Sequence, residues 1–383
     1  MATRYEIRPA TYNDTTSLQE LINNTSQQGS VTINFERYPD FFHGSHVTTT
    51  DSDIWVMLDT QEKCLAGVFS IGSREVYVNG ERKRIRYGND LRIHPDYQGG
   101  YALFRLFKKY QEMMKNEWMQ TVILSENESS LATEGSGREG LPNYYEYGEL
   151  KTNMVYLSRP QKKKQKETIE SGVHIRRAKE TDIDTMQAFA DKEAQKRQFY
   201  PHYDFSAVNQ NNPYYKDLEL SDYFLAFKGA RLVGITGIWD QKGFNNPRFL
   251  SYSGGVQALR HVNNWRERLL KGMNLPEAGD VLEYLVLHCI LIENNNIDVF
   301  RALFSEIYNM FSSNNCLGRP RKGDKQKYKA LVCGLSADDS LNEVMDGYRK
   351  QVLSSRHFIA SYSGDPREKF DPNRQLYLEA ARL

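Results

Sequence analysis

Residues 91–107 read LRIHPDYQGGYALFRLF, and three kinds of local signal follow one another in them. An apolar/polar alternation from about residue 84 runs up to His94 and predicts a strand over 84–94. Pro95 has no amide hydrogen to give a ladder, so regular pairing stops there. Gln98-Gly99-Gly100 comes next, and an apolar helical pattern begins at about Tyr101. Glycines at the start of a helix let a ligand approach bare backbone amides. The helix end adds unpaired N–H donors and a partial positive charge. A pyrophosphate suits such a place; the plainer reading is that Gly99-Gly100 only turn the chain from strand to helix.

A second stretch, LVLHCILIENNNIDVFRALF at 285–304, has the same order, and Phe300-Arg301 repeats Phe104-Arg105 at a spacing of 196. At that spacing Gly99 and Gly100 fall on Asn295 and Asn296. Asparagine tolerates a left-handed turn but leaves a side chain in a phosphate's path. Two further matches occur in the same order. YEIRPATYND (5–14) aligns with VHIRRAKETD (173–182), so that Ile7, Arg8, Ala10 and Asp14 recur as Ile175, Arg176, Ala178 and Asp182, each 168 residues on. SDIWVMLDTQEKCLAG (52–67) aligns with SDYFLAFKGARLVG (221–234), each reading as strand, polar turn, strand. Three ordered matches imply a tandem duplication. Between the copies, 158–172 reads SRPQKKKQKETIESG, a polar, Lys-rich linker. The expected domains are 1–158 and 173–383, joined by 159–172, with extra material in the second copy at about 195–220 and 240–278.

Each copy reads strand, helix, two or three antiparallel strands, a strand leading into a helix, then another strand and helix. This order, together with the segment 91–107, resembles the GNAT superfamily of acyl-CoA-dependent N-acyltransferases over nearly the whole chain. The resemblance implies an α/β fold of the α+β type: two tandem GNAT-like domains, each a mixed, mostly antiparallel sheet flanked by helices. It also implies acetyl-CoA as co-substrate, its pyrophosphate on the loop Gln98, Gly99, Gly100, Tyr101 and Ala102. Backbone amides near Leu91, Arg92 and Ile93 would meet the thioester, and Asn127 would follow the next strand. The loop departs from the family pattern by one residue: Gly100 and Ala102 lie at +2 and +4 from Gln98, where the family has +3 and +5. The asparagines of the second copy make it a degenerate domain that buttresses the first or shapes an acceptor pocket.

Acyl transfer to an amine needs a base for the amine proton, donors for the thioester oxygen and a proton for the departing thiolate. Asp90, just before Leu91, is the first candidate for the base; Glu126, closing the strand-like TVILSE, is its rival. Tyr144 is the candidate acid: in Tyr144-Tyr145-Glu146-Tyr147-Gly148 it lies four residues before a glycine, as in the family's segment, with Tyr145 and Tyr147 equally phenolic. The aromatic insertion QKRQFYPHYDFSAVNQNNPYY at 195–215 reads as a lid or binding loop, or as an excursion packed on its own domain. The expected activity is transfer of an acyl group to a primary amine, on a small molecule or a peptide, by direct attack on the thioester. A transferase for a longer acyl chain and a non-catalytic acyl-CoA-binding or interaction protein are the alternatives.

Composition narrows the remaining classes. Lys and Arg number 50 and Asp and Glu 49, a net charge of +1, so the basic excess of a nucleic-acid binder is missing. The 12% of aromatic residues supply bulk for cores. No apolar run of about 18 residues suggests a membrane span. The first residues carry no apolar signal region, so a cytoplasmic location is expected. Cys64, Cys289, Cys316 and Cys333 are scattered, and the HxxH spacing of His43 and His46 does not by itself make a metal site; no metal is expected.

Overall fold

A computed structural model of the chain describes residues 4–25, 31–37, 39–98, 101–114, 117–127, 140–157, 172–252, 279–312 and 328–383. The first copy begins with β1 (Tyr5–Pro9), α1 (Thr15–Asn24), β2 (Val31–Glu36) and α2 (Phe41–Thr48). It continues through β3 (Asp53–Asp59), β4 (Cys64–Val78), β5 (Glu81–Ile93), α3 (Tyr101–Met114), β6 (Met119–Leu124) and β7 (Asn143–Tyr156). The second copy has β8 (Val173–Arg177), α4 (Ile183–Ala194), the short β9 (Arg197–Gln198), β10 (Tyr223–Lys228), β11 (Arg231–Trp239) and β12 (Asn246–Tyr252). It ends with β13 (Tyr284–Ile292), α5 (Ile297–Ser312), β14 (Ala330–Ser336), α6 (Asn342–Asp346), β15 (Lys350–Ser361) and the short β16 (Gln375–Leu376).

Twelve of these strands form one sheet in the order β1-β3-β4-β5-β6-β15-β7-β14-β13-β11-β10-β8. Read inward from its two edges, the sheet gives the same series twice: β1-β3-β4-β5-β6 and β8-β10-β11-β13-β14. Pairing is antiparallel except at β5–β6 and β13–β14. This is the mixed, mostly antiparallel sheet that the sequence predicts. The centre holds something it does not predict: the copies exchange their last strands. β15 of the second copy lies beside β6, and β7 of the first lies between β15 and β14. In space, therefore, β7 belongs to the second copy's side of the sheet. The expected linker lies outside the described residues except for Gly172. A separate ribbon, β2 against β12, also joins the copies, with Glu36 accepting from Arg248 at 2.5 and 2.8 Å.

Helices cover both faces of the first half. Leu18 and Leu21 of α1 and Phe41 of α2 pack on Ile54, Val56 and Val68. On the other face, Leu106, Phe107 and Tyr110 of α3 pack on Met57, Phe69 and Ile71. The insertion at 195–215 is an excursion packed on its own domain: Tyr200, Tyr203, Phe205, Tyr214 and Tyr215 are buried in the second half's core. Five closely spaced aromatic side chains bury too much apolar area to lie in solvent.

Two of the residues that reveal the repeat also close it structurally. Arg8 donates twice to Asp14 at 2.8 Å, and Arg176 donates twice to Asp182 at 2.7 Å. Each carboxylate also caps the turn that follows, taking the Thr11 amide at 2.7 Å or the Lys179 amide at 2.8 Å. The Arg8 bonds, followed by the Thr11 bonds, overcome partial burial and hold Asp14 down at about 2. A depressed carboxylate stabilises fully above its unfolded value near 3.8, and that contribution is lost as pH falls through 2. Asp14→Asn should lower stability at pH 7 by about 1 kcal/mol, given the solvent screening of a partly exposed pair. In urea titrations the gap to the unaltered protein should close by about pH 2.

Candidate active site

β5 and β6 run parallel but pair only at Arg86↔Met119 and Tyr87↔Gln120. Past that point β4 holds β5 as far as Ile93, while β15 holds β6 as far as Leu124. Strands tied to different partners diverge, which leaves a wedge closed at Tyr87 and Gln120 and open toward Ile93 and the start of α3. Inside the wedge β5 bulges. Its register on β4 passes from Val68↔Arg92 to Ser70↔Asn89, so Asp90 and Leu91 have no partner on β4. Asp90 takes φ +55°, a left-handed conformation that Asn and Asp tolerate best after glycine. A bulge of this kind re-aims the backbone.

The second half repeats the device. β13 and β14 pair over Tyr284–Leu287 and Ala330–Cys333, and the β13 register on β11 shifts between His288 and Leu291. Cys289 there has φ +51°. This wedge is filled by the chain itself. Glu379 Oε2 accepts from the Cys289 amide at 2.9 Å, and the Tyr377 hydroxyl accepts from the Ile290 amide at 3.2 Å. Tyr203 and Tyr377 both donate to Glu379, at 2.7 and 2.9 Å. Above them Gln375 accepts from Asn295 at 3.3 Å; below, the Arg382 guanidinium is buried over Tyr214, 3.6 Å from the ring centre. Residues 375–382 thus run from the loop that matches Gly99-Gly100 down through the wedge. At Asp90 and Leu91 none of the described residues does what Glu379 and Tyr377 do at Cys289 and Ile290.

The expected site residues divide accordingly. The Asp90 carboxylate lies on the α2 face, 2.7 Å from Arg37 and 2.8 Å from the Asn89 amide nitrogen. Arg37 also reaches Ser45 Oγ at 3.0 Å and lies over the Phe41 ring. Arg92, two residues on, has its pKa lowered by burial, opposed by the charge of Asp90; its buried Nε has no hydrogen-bond partner. Leu91 and Ile93 face α3. Gln98 is exposed at the mouth, Ala102 is buried under α3, and Tyr101 is exposed beside it. Gly99 and Gly100 lie outside the described residues. Glu126 and Asn127 follow the end of β6, across the open mouth from Ile93; Glu126 is exposed.

Tyr144 is the exception. It pairs with Ala360 of β15, which pairs with Met119 of β6, at the closed end of the wedge. Two strands separate it from β5, about 10 Å beyond β6 at ordinary strand spacing. Its ring stands edge-on to Phe358. The structure does not bring Tyr144 to the bulge. The Tyr-to-Gly spacing lies on a strand that has moved into the other half. Tyr145 lies under Arg367, and Tyr147 packs between Phe199 and Phe370. Tyr144→Phe should change kcat by less than about twofold in a thiol-release assay, because a group absent from the transition state leaves that parameter alone. Sequence reasoning missed the bulge, Arg37 and the plug. Asn89-Asp90 inside a strand was the available signal for the bulge. Among the described residues no cluster of side chains could hold a metal ion.

No family model matches the sequence, and no curated protein matches it. Solved structures do. A fungal multi-domain GH3 beta-N-acetylglucosaminidase with a GCN5-related glucosamine N-acetyltransferase region matches with TM-score 0.58 at 11% identity, over 94% of this chain. This chain spans only 38% of that protein. N-myristoyltransferase of Saccharomyces cerevisiae with bound myristoyl-CoA matches with TM-score 0.55 at 10% identity, over 99% of this chain and 90% of its own. A GCN5-related N-acetyltransferase from Sphaerobacter thermophilus matches with TM-score 0.53 at 11% identity, over 98% and 100%. At such identities the likeness is one of fold, and it extends over both copies.

Proposed function

On the premise that the chain has the GNAT fold, we propose that it is an acyl-CoA-dependent N-acyltransferase with its donor site in the first half. The observation that carries this reading is the contrast between the two bulges. In the second half, backbone amides at the bulge hold a carboxylate and a hydroxyl oxygen supplied by the chain. In the first half no described side chain accepts from the matching amides of Asp90 and Leu91, where an oxygen from outside could be met, and a thioester carbonyl is the oxygen this fold would bring. Donors placed where negative charge develops act most strongly in such a shielded position.

The pyrophosphate would lie against the loop from Gln98 to Ala102 at the head of α3, with Asn127 on the opposite lip. The amine would approach from the α2 face, where Asp90 takes its proton directly or through water. Its nitrogen then bonds to the acyl carbon, the C–S bond breaks, and the thiolate leaves toward the mouth, where solvent supplies a proton. Glu126, exposed at the mouth, stands farther from the bulge than Asp90 does.

An acetyl donor suits the closed end of the wedge. Tyr87 and Gln120 are buried there, and a Cβ on Gly88 would meet the Tyr110 hydroxyl at 2.6 Å and Met119 Cε at 2.8 Å. The acceptor would be a small-molecule or peptide amine, with the plugged second half shaping its pocket. A second reading, an acyl-CoA-binding protein without transfer, is favoured by the ion pair that already engages Asp90 with Arg37.

Calorimetric titration with CoA should show one site per chain, and Gly100→Glu should abolish it. Free-thiol release from acetyl-CoA across an amine panel should accompany binding. Binding without release on any amine would establish the second reading, and no binding at all would remove both.

A further inference from the structure

We propose that the acceptor is an amine with a carboxylate close to its nitrogen, an amino acid, held as a zwitterion between Asp90 and Arg37. This rests on the acyltransferase reading given above and names the substrate class of that site. The first bulge carries charges that the fold does not need. Val68 pairs with Arg92 as Ile235 pairs with Leu291, so Arg92 matches Leu291 and Asp90 matches Cys289. Cys289 and Leu291 are uncharged and wholly buried. The second bulge forms with them all the same, its left-handed residue in the same place. Asp90 and Arg92 are therefore not required to build the bulge.

Nor do these charges balance one another. Asp90 faces two cations. Arg37 is bonded to it at 2.7 Å, with both side chains mostly buried. Arg92 lies opposite Val68, which packs on α1 and α2, so its side chain stands on the same face of the sheet. Burial lowers the Arg92 pKa, the charge of Asp90 opposes this, and the charge of Arg37 adds to it. Two atoms here are buried without a hydrogen-bond partner: Arg92 Nε, a donor, and Asn89 Oδ1, an acceptor. Such groups are costly to leave unpaired. The cation excess calls for an anion, the free donor for an acceptor and the free acceptor for a donor. A zwitterion supplies all three, its carboxylate on Arg37 and Arg92 Nε and its ammonium on Asp90 and Asn89 Oδ1. Because Arg37 and Asp90 touch, the two charges of the ligand must lie only one or two carbons apart. Its entry exchanges one ion pair for two, strands no buried charge, and turns Asp90 from Arg37 toward the amine. The ammonium then passes a proton to Asp90, and the nitrogen bonds to the acyl carbon as the C–S bond breaks. The nitrogen loses its second proton to water, the thiolate gains one at the mouth, and Asp90 returns its own to solvent.

The probes are amino acids, each assayed beside its carboxamide and its decarboxylated amine, with thiol release from acetyl-CoA as the readout. For the preferred amino acid, kcat/KM should exceed that of its amide by about 10- to 100-fold, as a lost charged hydrogen bond predicts. Arg92→Leu, which copies the second bulge, should cut that ratio by about 10-fold or more, and Arg37→Gln should do the same. Calorimetric titration of the same ligands into the full-length protein, with and without CoA, separates binding from transfer. Amides turned over as well as acids would overturn the proposal and leave the transferase standing. So would an acid preference unchanged in Arg92→Leu. Acids that bind more tightly than their amides, with that difference lost in Arg92→Leu but no thiol released, would support the zwitterion site and remove the transferase. Acids neither bound nor turned over, while CoA binds, would overturn the site.

Discussion

Residues 1–158 made alone should not reach a folded state. β7 pairs along nearly its whole length with β15 and over Leu150–Tyr156 with β14, and a fragment ending at 158 has neither partner. β6 likewise loses β15 and becomes an open edge. Leu150 and Val155, wholly buried in the intact protein, would face water, as would the second half's side of Tyr77, which donates to Asp191 at 2.9 Å. Ordinary interfaces within a chain bury about 600–1,500 Å². At about 25 cal/mol per apolar Å², losing a shared sheet as well exceeds the margin of about 5–15 kcal/mol by which domains are stable. The fragment should show no cooperative thermal transition and should sediment as aggregate, whereas co-expression with residues 159–383 should yield a soluble pair. One alternative is distinct: β7 could fold back beside β6 in the place of β15. A monomeric fragment with a sharp melt would show that it does.

Glu379→Ala should be the most damaging single substitution in the second wedge. The carboxylate is 5% exposed and accepts from the Cys289 amide, the Tyr203 and Tyr377 hydroxyls and, through Oε1, the Ala381 amide. Burial first, and then the charge of Glu379, raise both phenols far above their usual range, so they stay protonated and donate. Alanine would strand two buried hydroxyls and an amide at about 1–3 kcal/mol each, a loss of about 3–9 kcal/mol. It would also remove an anion that helps to balance the buried Arg382. Urea unfolding would read this as a large fall in midpoint at constant slope. Glu379→Gln keeps an acceptor oxygen and should cost less than half as much. If the alanine variant unfolds at the unaltered midpoint, residues 375–382 are not what holds the second wedge shut.

The parts of the molecule that were legible in the sequence are those fixed by neighbours along the chain. Arg8 and Asp14 lie six residues apart, and their ion pair and cap recur at Arg176 and Asp182. The same pattern therefore marks a strand, a turn and a helix in both copies. The hairpins and the strand running into α3 were legible for the same reason. The strand exchange was not. β7 carries the same alternation whichever strand stands beside it, and a strand's pattern encodes its buried face, not its neighbour's identity. The site was half legible. Asp90 was picked out from its place before Leu91, but the bulge that turns its backbone depends on β4. Tyr144 was misplaced because a spacing in sequence was carried onto a strand that crosses to the other half. Tyr377 and Glu379 gave no signal, since their partners lie almost ninety residues earlier in the chain.

Because β6 borrows its neighbour from residues 350–361, the first copy cannot close its own sheet when it leaves the ribosome. At about 5–20 residues per second, the roughly 200 residues that separate β7 from β15 take on the order of 10–40 s to be made. For that time β6 presents an unpaired edge and β7 lacks both of its native partners, a state open to pairing with other nascent chains. The finished protein gains a joint that neither half can undo without unfolding. During synthesis the same joint makes the beginning of the chain wait for its end.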